Sequence, residues 1–228
     1  MKDVVLVSAS PKLNERSTSK EFLEMAGSRI NSDLFSKTFI DVRKSFLTHS
    51  LAEDFAALAR ADVIIISFPL YYFCLPGMLT RFLVDYQTYC TARGKLNKQV
   101  KVYAIVNCGF PEPEINLEAV RVIQSFSRHL NAEFRFGVLI GGGSMMVAAK
   151  EAPFMKKAVQ KLNSAFASMA ADIQAENSTM MESIYIEAKY PFSRPLYYFM
   201  GGRGWITMAR KNGLKKKELY RKPYRMNE

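Results

Sequence analysis

The sequence predicts a doubly wound α/β fold: one parallel sheet of five strands with helices on both faces. Two observations carry that prediction. Five short apolar runs rich in β-branched residues alternate with five longer segments whose apolar residues recur at helical spacing, the order that builds βαβ units. The strongest run, Val63–Ser67 (VIIIS), is apolar without interruption rather than alternating, as expected for a strand covered on both faces.

The elements follow in order. Asp3–Ser8 (DVVLVS) is a buried strand, and Phe22, Leu23, Ala26 and Ile30 mark the first helix. Asp33–Asp41 alternates and reads as a second, more exposed strand, followed by a helix over Leu51–Ala61. Asp62–Pro69 is the third strand. Leu75, Leu79, Phe82, Leu83 and Tyr86 give the next helix, with Pro76 suited to its first turn. Val100–Asn107 is the fourth strand, and Ala119, Ile123, Phe126 and Leu130 mark a helix. Phe134–Gly143 is the fifth strand, ending in three glycines. Met155, Val159, Leu162, Phe166, Met169 and Ile173 step by three and four along a long amphipathic helix.

A chain of 228 residues, 49% hydrophobic and 23% charged, suits one domain with an added segment. We expect a body over residues 1–180 and a C-terminal extension over 181–228. The net charge of +11 is uneven: from Arg203 to Glu228 nine Lys/Arg stand against two Glu, +7 of the total. A charge run of this kind is usually a solvated face, and no nucleic-acid recognition motif accompanies it. No apolar run reaches the roughly 20 residues of a membrane span, and no secretory signal is visible. Cys74, Cys90 and Cys108 are too dispersed for a zinc or disulfide framework. His49 and His129 lack ligand-type neighbours. No metal, no nucleic acid, no membrane span and a reduced, cytoplasmic setting are therefore expected.

In doubly wound sheets, ligands bind beyond the carboxyl ends of the strands, where the strand order reverses. Three loops stand there. The first, Ser8–Ser19, opens a helix and holds Ser10, Ser17, Thr18 and Ser19. Helix N-termini present free N–H groups and a positive dipole end to anions. A Thr18–Glu21 capping box explains Thr18 alone. Neither phosphate fingerprint, GxxxxGK[ST] or GxGxxG, is present. Neutral hydroxyl donors suit a monophosphate dianion such as that of FMN. The second loop, Ser67–Pro76, is bracketed by Pro69 and Pro76. Its Leu70–Phe73 backbone and its aromatics Tyr71, Tyr72 and Phe73 suit either a planar ring or core and dimer contacts. The third, Asn107–Glu114, offers the Asn107 amide and close backbone approach at Gly109, and reads equally as an ordinary turn. Cys108 reads as a small packing residue.

Together the three loops, SASPKLNERSTS, PLYYFCLPGMLTRFLV and NCGFPE, resemble those of flavodoxin-like NAD(P)H-dependent oxidoreductases, the group of FMN, quinone and azo-dye reductases. The resemblance covers roughly residues 1–175 and implies strand order 2-1-3-4-5. It implies that Ser10, Lys12, Ser17, Thr18 and Ser19 hold the FMN phosphate. Pro69, Leu70, Tyr71, Tyr72 and Phe73 would hold the isoalloxazine ring, and Asn107, Cys108 and Gly109 its far edge. NAD(P)H would be the donor and a small quinone, flavin or azo compound the acceptor, with a homodimer as the assembly; the charge of the basic segment suits either the anionic nicotinamide cofactor or an acidic redox partner. The compact cysteine cluster of related iron–sulfur flavoproteins is absent. Competing readings are a flavodoxin-type electron carrier and a binding module without catalysis. Within the extension, Pro191, Pro195, Gly201, Gly202 and Gly204 argue against a single helix. Tyr185–Trp205 is expected to pack on the body or on a partner subunit. The basic part after it is expected to form a short helix, with Ile206, Ala209, Arg210 and Leu214 on one side, placing positive charge near the flavin mouth.

Overall fold

The computed structural model describes residues 1–12, 17–93, 99–175, 181–187 and 193–221. The chain forms two compact units, Met1–Lys189 and Tyr190–Glu228.

The first unit is built on six parallel strands: β1 (Lys2–Ser8), β2 (Phe35–Asp41), β3 (Val63–Pro69), β4 (Lys101–Asn107), β5 (Glu133–Ile140) and β6 (Ile184–Ile186). Their spatial order is β2-β1-β3-β4-β5-β6. The five-stranded expectation is thus corrected to six. Ile184–Ile186, assigned from sequence to the extension, pairs with Val138–Ile140 at the edge. Three residues are too few to show a periodicity, so this strand exists through its ladder with β5.

The helices are α1 (Thr18–Gly27), α2 (Val42–Thr48), α3 (Leu51–Arg60), α4 (Gly77–Arg93), α5 (Leu117–His129), α6 (Gly143–Ala148) and α7 (Lys156–Gln174). Helices α2 and α6 add to the expected set. Each is about two turns or less, below the length at which apolar spacing speaks. The Asp41 side chain caps α2 by accepting from the Lys44 N–H, and α6 starts where Gly142 takes φ 60°.

Both sheet faces are covered. Val5, Val7, Ile64, Ile66, Val102 and Ala104 pack with Phe55, Leu79, Phe82 and Ile123 of α3, α4 and α5. On the other face α1 and α7 bury Phe22, Leu23, Leu162, Phe166 and Met169. There α7 is fastened by a buried polar cluster. Tyr103 donates its hydroxyl to Asp172 at 2.6 Å, and Arg135 grips both oxygens of Asp172 at 2.9 and 2.8 Å while also meeting Glu133. Burial and the Asp172 carboxylate push the Tyr103 phenol well above its ordinary value, and the bond to Asp172 holds the Arg135 guanidinium firmly charged. Lys101 donates to the carbonyls of Asp172 and Ala175 at the end of α7, supplying the cation that a helix C-terminus favours.

The second unit holds α8 (Arg194–Lys211), one helix of 18 residues, followed by a 3-10 turn over Lys216–Tyr220. The expectation of a broken segment is corrected: Pro195 sits in the first turn, where proline is tolerated, and the glycines at 201, 202 and 204 lie inside the helix. Pro191 lies outside the described residues.

Candidate functional site

The strand order reverses between β1 and β3, and the loops leaving β1, β3 and β4 meet there. They are hydrogen-bonded to one another. Ala9 N–H donates to the Ser67 carbonyl at 2.9 Å, Leu70 N–H to Asn107 at 2.8 Å, and Cys108 N–H to Ile140 at 3.0 Å. The cleft above them is lined by Ser10, Lys12, Ser17, Thr18, Ser19, Pro69, Leu70, Tyr71, Asn107, Cys108, Gly109 and Ser144, with a cavity volume of about 140 Å³. Lys12 is the one charged residue in this set.

The hydroxyls of Ser10, Ser17, Ser19 and the adjoining Ser67 each have a definable state. Ser17 is the N-cap of α1, its Oγ accepting from the Lys20 N–H at 3.4 Å. The Thr18–Glu21 capping box is therefore replaced by a Ser17 cap one residue earlier, and Thr18 becomes the first helical residue. Ser10 Oγ accepts from the Lys12 N–H at 3.4 Å. As acceptors, Ser10 and Ser17 each keep a hydroxyl proton to donate. Ser19 donates to Asn107 Oδ1 at 2.8 Å, which orients the Asn107 amide with its NH2 as donor. Ser67 donates to the Ser19 carbonyl at 2.8 Å, locking α1 against β3.

Two glycines allow the fifth-strand loop to close on this floor. A Cβ at Gly141 would stand 2.1 Å from the Pro111 carbonyl oxygen, and one at Gly143 would stand 2.9 Å from Asn107 Cβ. Gly109 faces open space, with nothing within 4 Å of a Cβ there.

Tyr72 and Phe73 are not brought into the cleft. Tyr71 and Cys74 exchange both backbone hydrogen bonds at 3.0 Å, and the two residues between them take φ 47° and 61°. This is a two-residue turn of the left-handed kind, strained for bulky side chains. Tyr72 is fully exposed and Phe73 largely so, which rules out the core reading of these rings. Phe73 stacks on Phe110 at 6.2 Å between centroids, linking the second loop to the third.

The residue missed from sequence is Ser144. It follows the αL residue Gly142 in the first turn of α6, and the only signal was the Gly-Gly-Ser ending of the fifth strand. Two other depressions are larger. One, between α1, α6 and α7, is lined mainly by apolar side chains such as Met25, Met146 and Val159. Both lie on the flanks of the sheet rather than at the strand ends.

Burial pushes the Cys108 thiol up, so it stays protonated near neutrality and is not a nucleophile. Cys90 is buried with its thiol pushed up likewise, whereas Cys74 is exposed. Brief iodoacetamide treatment of the native protein should alkylate Cys74 alone, and all three cysteines should react after unfolding. Peptide mass mapping that finds Cys108 modified in the native protein contradicts this assignment.

No family model matches the chain, and no curated protein matches it. Solved structures do. An NADH:FMN oxidoreductase in its apo form aligns over 80% of this chain and 95% of its own, at 21% identity and TM-score 0.57. General stress protein 14 of Treponema denticola, solved with FMN, aligns over 76% and 100%, at 18% identity and TM-score 0.57. An FMN-dependent NADH-azoreductase from Bacillus anthracis, also with FMN, aligns over 77% and 100%, at 15% identity and TM-score 0.55. The fold is flavodoxin-like. In this flavodoxin-like sheet, β6 is an addition beyond the 2-1-3-4-5 order. Among the described residues, no helix is long and apolar enough to cross a membrane, and no cluster of His, Cys, Asp and Glu is arranged to hold a metal.

Proposed function

We propose that the chain is an FMN-dependent NAD(P)H oxidoreductase that reduces a small quinone, azo or flavin acceptor. The observation that carries this reading is the convergence of three separate loops on one cleft at the β1/β3 reversal. The donor set fits FMN. Hydroxyls of Ser10 and Ser17, the first N–H groups of α1 and the Lys12 ammonium suit a phosphate dianion. Pro69, Leu70 and Tyr71 form one wall for a planar ring. Asn107, its amide turned by Ser19, offers a donor to a ring carbonyl, and Gly109 leaves room for backbone approach. Ser144 adds a hydroxyl on the far side.

Bound FMN would supply the hydride-accepting and hydride-donating centre. The chain's own residues would bind it, orient it and stabilise developing negative charge with N–H donors. Tyr72 and Phe73, outside the cleft, would then serve the mouth rather than hold the ring. The reading extends to a homodimer whose second copy completes the acceptor pocket, to an acidic redox partner, to a cytoplasmic setting suited to three free cysteines, and to an extension that begins beyond β6. The electron-carrier reading is the less favoured one: carriers of that kind tend to be acidic, and this chain is at +11.

Anaerobic titration of FMN-loaded protein tests the proposal. NADH or NADPH should bleach the flavin directly, at about one equivalent per flavin, and an added quinone or azo compound should restore the colour. Flavin that dithionite bleaches but neither nicotinamide touches assigns a carrier instead.

A further inference from the structure

Arg43 does not line the cleft, yet it bonds the phosphate loop. It stands in the first turn of α2, and its guanidinium donates to the Pro11 carbonyl at 2.7 Å. Ser8 and Asp41 are paired at the ends of β1 and β2, so Pro11 and Arg43 lie three and two residues beyond one rung of the sheet. The base of Arg43 is fixed. Val42 is fully buried and Ser45 nearly so. The Ser45 hydroxyl donates to the Asp41 carbonyl at 2.8 Å, and the Asp41 carboxylate accepts from the Lys44 N–H at 3.2 Å. Among the described residues Arg43 pairs with no carboxylate, and Pro11 is its acceptor.

That bond governs one peptide unit. Proline fixes its own φ, so ψ of Pro11 is the one soft dihedral that turns the Pro11–Lys12 peptide. In a trans peptide the carbonyl and the N–H point opposite ways. A charged donor that holds the Pro11 carbonyl on one side therefore turns the Lys12 N–H to the other, and there it meets Ser10 Oγ at 3.4 Å. At that length the N–H contact is too weak to set the plane, whereas the 2.7 Å bond from a charged donor is strong enough to do so. With its oxygen engaged as acceptor, the Ser10 hydroxyl keeps its proton to donate into the cleft that Ser10 lines. We propose that Arg43 is a positioning residue for phosphate recognition, acting through the Pro11–Lys12 peptide to orient the Ser10 hydroxyl, a role that rests on the FMN reading of the cleft.

Titration of the full chain with FMN and with riboflavin, followed by flavin fluorescence, tests this role. Arg43→Ala should lower FMN affinity about tenfold, near the lower bound for a hydroxyl bonded to a charged group, and leave riboflavin affinity unchanged. Arg43→Lys, whose ammonium still donates to Pro11, should recover most of the loss. Lys44→Ala removes the same charge one residue further on without touching the bond, and it should stay within about twofold of the parent. Placed on Ser10→Ala, Arg43→Ala should lower FMN affinity by no more than about twofold further, because the group it orients is already gone. Melting curves of the flavin-free parent and variants should coincide, since the Arg43 bond is exposed. Arg43→Ala with the FMN affinity of the parent overturns the proposal. The same loss with and without Ser10 also overturns it, because Arg43 then acts independently of that hydroxyl. So does a loss that Lys44→Ala reproduces, which assigns a general effect of charge, or one that riboflavin shares, which assigns damage to the fold. A parent that binds FMN no tighter than riboflavin overturns the FMN reading itself, and this role with it.

Discussion

Asp172→Ala should lower the stability of the protein by about 3–5 kcal/mol, the usual effect of removing one partner from a buried ion pair. The substitution weakens the bonding of two buried groups at once, although Arg135 keeps Glu133. Arg135, 3% exposed, loses both of its bonds to Asp172, and Tyr103, fully buried, loses the acceptor of its hydroxyl. Burial prevents water from replacing either. Urea denaturation followed by circular dichroism measures the loss. FMN affinity should stay unchanged, because Tyr103 and Asn107 are four residues apart along β4, about 13 Å at the usual strand rise. A triple variant, Tyr103→Phe/Arg135→Met/Asp172→Leu, should recover most of the stability, since well-packed apolar groups commonly replace a buried ion pair without loss and no buried hydroxyl is left without its acceptor. A single variant within about 1 kcal/mol of the parent would mean that water reaches this cluster.

Ser10→Ala/Ser17→Ala should weaken FMN binding by about 3 kcal/mol or more, at least a hundredfold, because each hydroxyl bonded to a charged group contributes about 1.5–3 kcal/mol. Riboflavin, which lacks the phosphate, should bind parent and variant alike. That comparison separates phosphate recognition from loss of the α1 cap, which itself lowers stability by about 1 kcal/mol. Ser19 is left out of the variant because its hydroxyl is committed to Asn107, so removing it would disturb the floor of the cleft. Equal weakening toward both flavins would locate the effect in the fold rather than in the phosphate site. Unchanged affinity for FMN would remove Ser10 and Ser17 from the site.

How much was legible in advance follows from the range of the signal. Strands such as Val63–Pro69 and helices such as Lys156–Gln174 are long and strongly patterned, and they stand where their apolar spacing put them. That Ser10, Ser17, Ser19, Asn107 and Gly109 meet at one cleft follows from the convergence of strand ends at an order reversal in any sheet of this kind. What escaped was decided by single bonds or by tertiary context. The N-cap moved from Thr18 to Ser17, a choice among adjacent hydroxyls that sequence does not rank. The second aromatic loop closed as a strained two-residue turn at Tyr72 and Phe73, where turn chemistry would have called for glycine or asparagine. Arg135 and Asp172 lie in segments patterned for strand and helix, and nothing in that patterning pairs them. In α8 the glycines read as breaks, yet the helix runs through them.

The short sixth strand also matters before folding is complete. Its pairing with Val138–Ile140 covers part of an edge that would otherwise present open N–H and C=O groups to other chains. During synthesis β5 emerges well before β6. At about 5–20 residues per second, the interval between Ile140 and Ile186 is roughly 2–9 s. For that time the nascent chain carries an apolar, unpaired strand border beside the ribosome, a natural point for a holding chaperone to act. The same border would reopen in any shortened version ending before Ser183, whose side chain accepts from the Gly137 N–H at 3.1 Å. A shortened protein meant to probe the basic segment alone therefore has to keep the chain through Ile186.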